Sequence, residues 1–95
     1  MKPKYQLIIT NSFKRDLKKI EKRGYDMHLI DNVIDKLQNG ETLDPQYRDH
    51  ALKGNWQSFR ECHILPDWLL IYKVVEDTLV LSLVRTGSHS DLGLC

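Results

Sequence analysis

The chain has 95 residues, of which 41% are hydrophobic and 28% charged, and its formal net charge is +1. These values are typical of one globular domain over residues 1–95, and they exclude a wholly disordered chain and a protein that coats nucleic acid by bulk charge. No apolar run reaches the length of a signal peptide or a transmembrane helix, which favours a cytoplasmic protein without a membrane partner.

Two cysteines, Cys62 and Cys95, are too few for a disulfide framework, and we expect both to be free thiols. Cys62 and His63 are adjacent on a predicted strand, so their side chains point to opposite faces and do not suit a shared zinc ion. We therefore expect neither a metal nor another cofactor.

The first segment predicts a short strand over residues 5–9, followed by a helix. Asn11 or Ser12 is the expected N-cap, and Gly24 supplies a left-handed stop. Apolar residues recur at helical spacing in between, at Phe13, Leu17 and Ile20. Six basic residues against two acidic ones give residues 11–23 a net charge of +4, which indicates a surface for a polyanion.

A second helix is expected to begin at the N-cap Asp26 and to end at Asn39-Gly40. Its apolar stripe consists of Met27, Ile30, Val33, Ile34 and Leu37. Residues 41–55 lack sustained periodicity and contain Asp44-Pro45 and Lys53-Gly54, so they predict a surface loop, in which His50 lies.

Residues 56–87 predict three consecutive antiparallel strands, with turns at Pro66-Asp67 and Glu76-Asp77. The element order is strand, helix, helix and three strands. This is an α+β layout, β-α-α-β-β-β, in which the helical hairpin covers one face of a small, mostly antiparallel sheet.

Pairing arithmetic then predicts which side chains meet. His63 is expected opposite Trp68, Glu61 opposite Leu70, Val75 opposite Thr78, and Trp68 opposite Arg85. One face is thus expected to carry Glu61, His63, Trp68, Leu70, Leu83 and Arg85. With Asp67 in the adjoining turn and His89 four residues beyond Arg85, a base, an acid, a cation and an aromatic ring converge at one end of the sheet.

Each of these residues also has a purely structural interpretation. His50 can be an exposed loop residue, His63 can cap a turn, and His28 is expected at the surface. Trp56 and Trp68 can belong to the core, and Arg85 can pair with Glu61 or Asp67. The basic helix can simply face solvent. The convergence of the chemically capable groups at one edge favours a functional site, because a core does not require it.

Three blocks, at residues 47–54, 59–72 and 85–92, resemble the YafQ branch of the RelE-like bacterial toxins, and the resemblance covers the whole chain. It implies the toxin half of a type II toxin–antitoxin pair that cuts messenger RNA in the ribosomal A site without a metal. It also implies a cognate antitoxin protein, with operator DNA bound only through the toxin–antitoxin complex.

The resemblance implies a catalytic set of His50, Glu61, His63, Asp67, Arg85 and His89. It implies substrate-binding positions at Lys53, Arg60 and Trp68, and the basic helix adds Lys18, Lys19 and Lys22 for ribosomal RNA. The family often has a stacking Phe four residues after the last His, where this chain has Gly93, so base preference depends on whether Leu92 or Leu94 supplies part of that contact.

Metal-free RNA cleavage uses the 2′-hydroxyl as nucleophile and needs a base, an acid and positive charge on the phosphate. We expect His89 as general acid, Glu61 or Asp67 as base, and Arg85 as the transition-state clamp. His50 and His63 are phosphate contacts or alternative bases, and Trp68 can stack on a base. Products should carry a 2′,3′-cyclic phosphate and a 5′-hydroxyl.

Two other functions remain open from the sequence. One is a toxin of the same fold that acts only by binding another target, as gyrase-directed relatives do. The other is an ordinary α+β interaction module.

Overall fold

In the computed structural model, which describes residues 3–93, five strands and three α-helices follow one another, and two single-turn 3-10 helices, Pro45–Tyr47 and Gly54–Trp56, flank the second strand. The order is β1 (Gln6–Ile9), α1 (Asn11–Lys22), α2 (Met27–Gln38), β2 (His50–Ala51), β3 (Arg60–Leu65), β4 (Trp68–Val75), β5 (Val80–Gly87) and α3 (His89–Leu92). The predictions made for Leu94 and Cys95 fall outside the described residues. The α+β layout is confirmed, with β2 and α3 as additions to it.

The N-cap of α1 lies one residue before Asn11 and two before Ser12, the two predicted candidates, so neither prediction is correct. Thr10 is the N-cap, and its side-chain oxygen accepts a hydrogen bond from the Phe13 amide at 3.2 Å. The same hydroxyl donates to the Leu83 carbonyl at 3.0 Å, so it joins the helix start to β5. Gly24 follows α1 with φ +83°, and Asp26 caps α2 as predicted, by accepting from the His28 amide at 3.0 Å.

The five strands form one sheet in the order β1-β5-β4-β3-β2. β1 pairs with β5 in parallel, and the other three pairings are antiparallel. The helical hairpin covers one face, where α1 and α2 share a single apolar cluster with the sheet. Its buried members include Phe13, Ile20, Ile30, Val33, Leu37, Trp68, Leu70, Tyr72, Leu81 and Leu83.

The predicted register of the β3–β4 hairpin is wrong by one residue. Leu65 opposes Trp68 across a two-residue turn, while His63 opposes Leu69 and Glu61 opposes Ile71. Ile64 is an extra residue between the first two pairs, which makes it a β-bulge. Trp68 and Leu70 therefore lie on the helix-covered face, where their large apolar surfaces are removed from water.

The β4–β5 register also differs from the prediction. Val75 opposes Val80 across a four-residue connection, and Ile71, not Trp68, opposes Arg85. Val84 is an extra residue between the pairs of Leu83 and Arg85, so these two side chains lie on different faces. Of the six residues predicted to share one face, Glu61, His63 and Arg85 do so, whereas Trp68, Leu70 and Leu83 face the helices.

No helix within residues 3–93 combines the length and apolarity that crossing a membrane requires.

Candidate active site

A row of directly opposed residues crosses the face of the sheet that lies away from the helical hairpin. His50 on β2 opposes Glu61 on β3, Glu61 opposes Ile71 on β4, and Ile71 opposes Arg85 on β5. Opposed residues in a sheet project to the same side. The short strand β2, expected to be loop, therefore places His50 beside Glu61.

Glu61 is the centre of this cluster. The residue is only 6% exposed, and its Oε1 lies 3.6 Å from His50 Nε2 and 3.4 Å from His63 Nε2. A buried carboxylate is stable as an anion only when positive charge or donors are close. The two imidazoles supply that environment whenever either ring is protonated.

Backbone carbonyls determine which ring nitrogens face the carboxylate. His50 Nδ1 lies 2.5 Å from the Arg48 carbonyl, and His63 Nδ1 lies 3.4 Å from the Pro66 carbonyl. A carbonyl only accepts, so the contact at His50 assigns the hydrogen to Nδ1 and leaves Nε2 to exchange a proton with Glu61. A proton on Nε2 makes an attractive charged pair, and its absence leaves a bare nitrogen facing a carboxylate.

His89 belongs to a second acid–imidazole pair at the same end of the sheet. Its Nδ1 lies 2.5 Å from Asp67 Oδ1, and its backbone amide donates to the same oxygen at 3.0 Å. These two hydrogen bonds lower the pKa of Asp67, so the carboxyl stays ionised at neutral pH and accepts from both the ring and the backbone amide of His89. The ring centroids of His63 and His89 are 5.7 Å apart, so the two acid–imidazole pairs adjoin.

Arg85 has a carboxylate partner that neither pairing arithmetic nor the resemblance indicated. Its Nε and Nη2 lie 2.6 and 3.2 Å from the two carboxylate oxygens of Asp16 on α1, and the Thr86 amide donates to the same carboxylate at 3.1 Å. The pairing raises the pKa of Arg85 and fixes the direction of its guanidinium. Neither Glu61 nor Asp67 forms an ion pair with Arg85 within residues 3–93.

Trp68 does not fit the predicted role of a stacking platform. Its side chain is buried at 1% exposure and meets the Tyr25 ring edge-on at 4.9 Å. The indole Nε1 donates to Thr86 Oγ1 at 2.9 Å, and that hydroxyl donates to the Leu69 carbonyl at 2.7 Å. The indole is therefore a core group with its polar atom satisfied, and stacking on a base would require it to leave the core.

Arg60 lies on the opposite face from Glu61, because neighbouring residues of a strand alternate. Its guanidinium contacts Asp49 at 3.3 and 3.4 Å, and the Tyr72 hydroxyl donates to the same carboxylate. This placement argues against Arg60 as a substrate contact at the Glu61 cluster. Lys53 is exposed beyond β2, and the three lysines of α1 proposed for substrate binding are exposed as well, at Lys18, Lys19 and Lys22.

The short helix α3 holds His89 in place through a capping box. Ser88 Oγ accepts from the Asp91 amide at 3.1 Å, and the Asp91 carboxylate accepts from the Ser88 amide at 3.0 Å. Asp91 also contacts Arg23 at 2.6 and 3.0 Å, which lowers the pKa of Asp91 well below its usual range. Gly93 ends the helix with φ +66°, a conformation that favours glycine over the family's phenylalanine.

The residues that orient the site escaped prediction for identifiable reasons. Asp16 had a usable signal: it lies between Phe13 and Ile20 at helical spacing, on the buried side of α1, where an acid requires a partner. Asp91 had a weaker one, as the third residue after Ser88 in a capping-box pattern. Within residues 3–93, no three His, Cys, Asp or Glu side chains form a group that could hold a metal ion.

Comparison with known proteins gives consistent relationships. Residues 5–93 match the model of a family described as a bacterial toxin of type II toxin-antitoxin system, YafQ. The protein named mRNA interferase toxin YafQ from Escherichia coli K12 is 36% identical over 84 residues, covering 87% of this chain and 89% of that protein.

Solved structures with the same fold include two toxins. A copper-bound mutant toxin from Helicobacter pylori is 46% identical with a TM-score of 0.87, covering 93% of this chain and 98% of that chain. The Escherichia coli DinJ-YafQ toxin-antitoxin complex is 33% identical with a TM-score of 0.86, covering 94% of this chain and 97% of that chain.

Proposed function

The chain belongs to the YafQ family of bacterial toxins of type II toxin–antitoxin systems, and we propose that it is an endoribonuclease that cleaves messenger RNA on the ribosome. The observation that carries the proposal is the pair of adjoining acid–imidazole groups, with the buried Glu61 between two Nε2 atoms and His89 held by Asp67. Such groups can remove one proton and supply another without a metal ion.

In the proposed reaction the 2′-hydroxyl attacks the adjacent phosphorus and the bond to the 5′-oxygen breaks. The Glu61 cluster takes the hydroxyl proton, directly or through His50 or His63. His89 is proposed as the acid that protonates the leaving 5′-oxygen, because its Nδ1 donates to Asp67, which orients the ring and leaves Nε2 to carry the transferred proton. Asp67 is the weaker candidate for the base, since two hydrogen bonds to His89 already engage it.

Arg85 is proposed to stabilise the charge that develops on the phosphate. Its Nε and Nη2 are held by Asp16, and a guanidinium has further N–H groups to offer. Preorganised donors of this kind contribute about 2.7–4 kcal/mol to transition-state stabilisation. The ion pair with Asp16 offsets the positive charge of the guanidinium. Arg85 therefore acts chiefly by presenting its remaining N–H groups in a fixed direction.

The proposed partners follow from the same family. The DinJ-YafQ complex supports a cognate antitoxin, which we propose binds this chain. Repression at operator DNA is proposed for the toxin–antitoxin complex rather than for the toxin alone. The exposed lysines of α1 are proposed to contact ribosomal RNA, and cleavage is expected to be weak without the ribosome. The proposed place of action is the cytoplasm.

End-group analysis of RNA cut on programmed ribosomes tests the chemistry. We expect 2′,3′-cyclic phosphate and 5′-hydroxyl ends, with the same rate in the presence of a chelator. Ends with a 3′-hydroxyl and a 5′-phosphate would contradict 2′-hydroxyl attack. Because a related toxin is described as copper-bound, added copper is the matched control: cleavage lost in chelator and restored by copper would contradict metal independence.

A comparison of growth and transcripts tests catalysis against binding. The wild type is expected to arrest growth and cut messages, and the double variant His89→Ala, Arg85→Ala is expected to do neither. Arrest by the double variant with intact messages would instead support a toxin that acts by binding a target such as gyrase.

A further inference from the structure

A hollow beside His63 has no role in the scheme above. It has a volume of about 310 Å³ and is lined by Gln46, Arg48, His63, Ile64, Leu65 and Pro66. That volume is at the lower end of small-molecule sites, which occupy about 300–1,000 Å³, so it suits a single nucleotide unit. We propose that it receives the RNA nucleotide next to the scissile phosphate, an inference that rests on the proposed function.

The backbone of Arg48 couples this hollow to the Glu61 cluster. Arg48 has φ +48°, a left-handed conformation that is uncommon for residues other than glycine. This conformation accompanies the 2.5 Å contact between the Arg48 carbonyl and His50 Nδ1. The residue that orients His50 therefore also lines the hollow, and the strained backbone is consistent with a functional position.

The lining supplies the groups that recognition of one nucleotide requires. Arg48 forms no ion pair within the described part of the chain, so its guanidinium is available for a phosphate. Gln46 is exposed and offers both a donor and an acceptor to a base edge. Leu65 is 48% exposed, and with Pro66 it offers an apolar surface for the face of a base.

The location matches the proposed reaction. His63 belongs to both sites, with Nε2 toward Glu61 and Nδ1 toward the Pro66 carbonyl beside the hollow. A phosphate held near His63 thus places a neighbouring nucleotide within reach of the hollow. In this arrangement Arg48 strengthens binding, and Gln46 contributes to base preference in a chain that has Gly93 at the family's stacking position.

The test uses ribosomes programmed with messages that differ only in the bases flanking the cleavage site. Arg48→Met should raise KM roughly tenfold with a smaller change in kcat, since a charge-assisted hydrogen bond contributes about that factor. Gln46→Ala should change the preference among flanking bases about fivefold. The controls Lys4→Met and Gln6→Ala likewise remove one positive charge and one side-chain amide, but near β1, at the far edge of the sheet from β2.

The outcomes separate the two proposals. A wild type that leaves every message intact overturns both the proposed function and the proposed role of the hollow. Alternatively, the wild type cleaves, but Arg48→Met and Gln46→Ala cannot be distinguished from their controls in KM and base preference. That result overturns only the proposed role of the hollow. Thermal unfolding of both variants should match the controls, because both side chains are exposed.

Discussion

Among single residues, Glu61 carries the largest share of the proposed chemistry. It is a carboxylate with almost no exposure to water, and its close charged neighbours are two titratable imidazoles. A carboxylate in this position is costly to bury unless a proton or a positive charge is shared with the rings. This sharing is the physical basis for regarding the three side chains as one proton-transfer unit.

Replacing Glu61 by glutamine should lower the cleavage rate by about 10²-fold or more, because the shape is kept and the proton acceptor is lost. The measurement is single-turnover cleavage on programmed ribosomes. The control is Glu41→Gln, an exposed carboxylate in the connection after α2. Equal rates for the two variants would exclude Glu61 as the base.

Asp16 is the residue whose loss should affect the fold most directly. Asp16→Asn removes the charge that pairs with Arg85 and weakens the acceptor for the Thr86 amide. We expect the free energy of unfolding to fall by about 2 kcal/mol, measured by urea denaturation. Asp31→Asn, at an exposed position on α2, should change it little. Matching values for both variants would show that the Asp16–Arg85 pair contributes nothing measurable to stability.

At the level of elements, α3 depends on Asp91 more than on its own four residues. A helix this short has little intrinsic stability. Asp91 stabilises α3 through three contacts, with the Ser88 amide, the Ser88 hydroxyl and the Arg23 guanidinium. The position of His89 beside His63 therefore depends on a carboxylate that takes no part in the chemistry.

Asp91→Asn should lower the free energy of unfolding by about 1 kcal/mol at pH 7, the usual contribution of a helix cap. The hydrogen bond from Arg23 holds the pKa of Asp91 far below its unfolded value of about 3.9. The ionised Asp91 carboxylate therefore contributes fully to the free energy of unfolding at pH values above its unfolded pKa. This contribution is lost as the pH falls through the folded pKa. Thermal unfolding from pH 7 down to pH 2 checks this. A difference between wild type and variant that does not shrink in acid would contradict it.

For the whole molecule, the distribution of charge matters more than the net charge of +1. The outer side of α1 carries exposed lysines, and the acid at Asp16 is turned inward to β5. A basic surface of this kind attracts a polyanion with an affinity that falls as salt rises.

Reversing the charges at Lys18, Lys19 and Lys22 should weaken ribosome binding at least about tenfold at low salt and flatten its salt dependence. The fold should be unaffected, because all three side chains are exposed. Sedimentation with ribosomes over a range of salt concentrations provides the measurement. The control reverses Lys4, Lys36 and Lys73, which gives the same net charge without altering α1. Equal binding by the two triple variants would exclude α1 as the contact surface.

Local patterns in the sequence were enough to identify most of the elements. Helical spacing of apolar residues and the signals at Gly24 and Asp26 predicted α1 and α2, because these depend on contacts within a few residues. Turn residues likewise separated β3, β4 and β5. The two-residue strand β2 escaped prediction, since its only reason to be extended is its pairing with β3.

By itself the sequence determined the element order, and its resemblance indicated which residue types form the site. Only the tertiary structure decided their faces and partners. The bulge at Ile64 and the extra residue Val84 each shift a strand by one position, which moves side chains to the other side of the sheet. Trp68 therefore lies in the core. Arg85 lies on the same face as Glu61 and pairs with Asp16 on α1. Such pairings depend on packing across 69 residues of chain, and no local pattern encodes them.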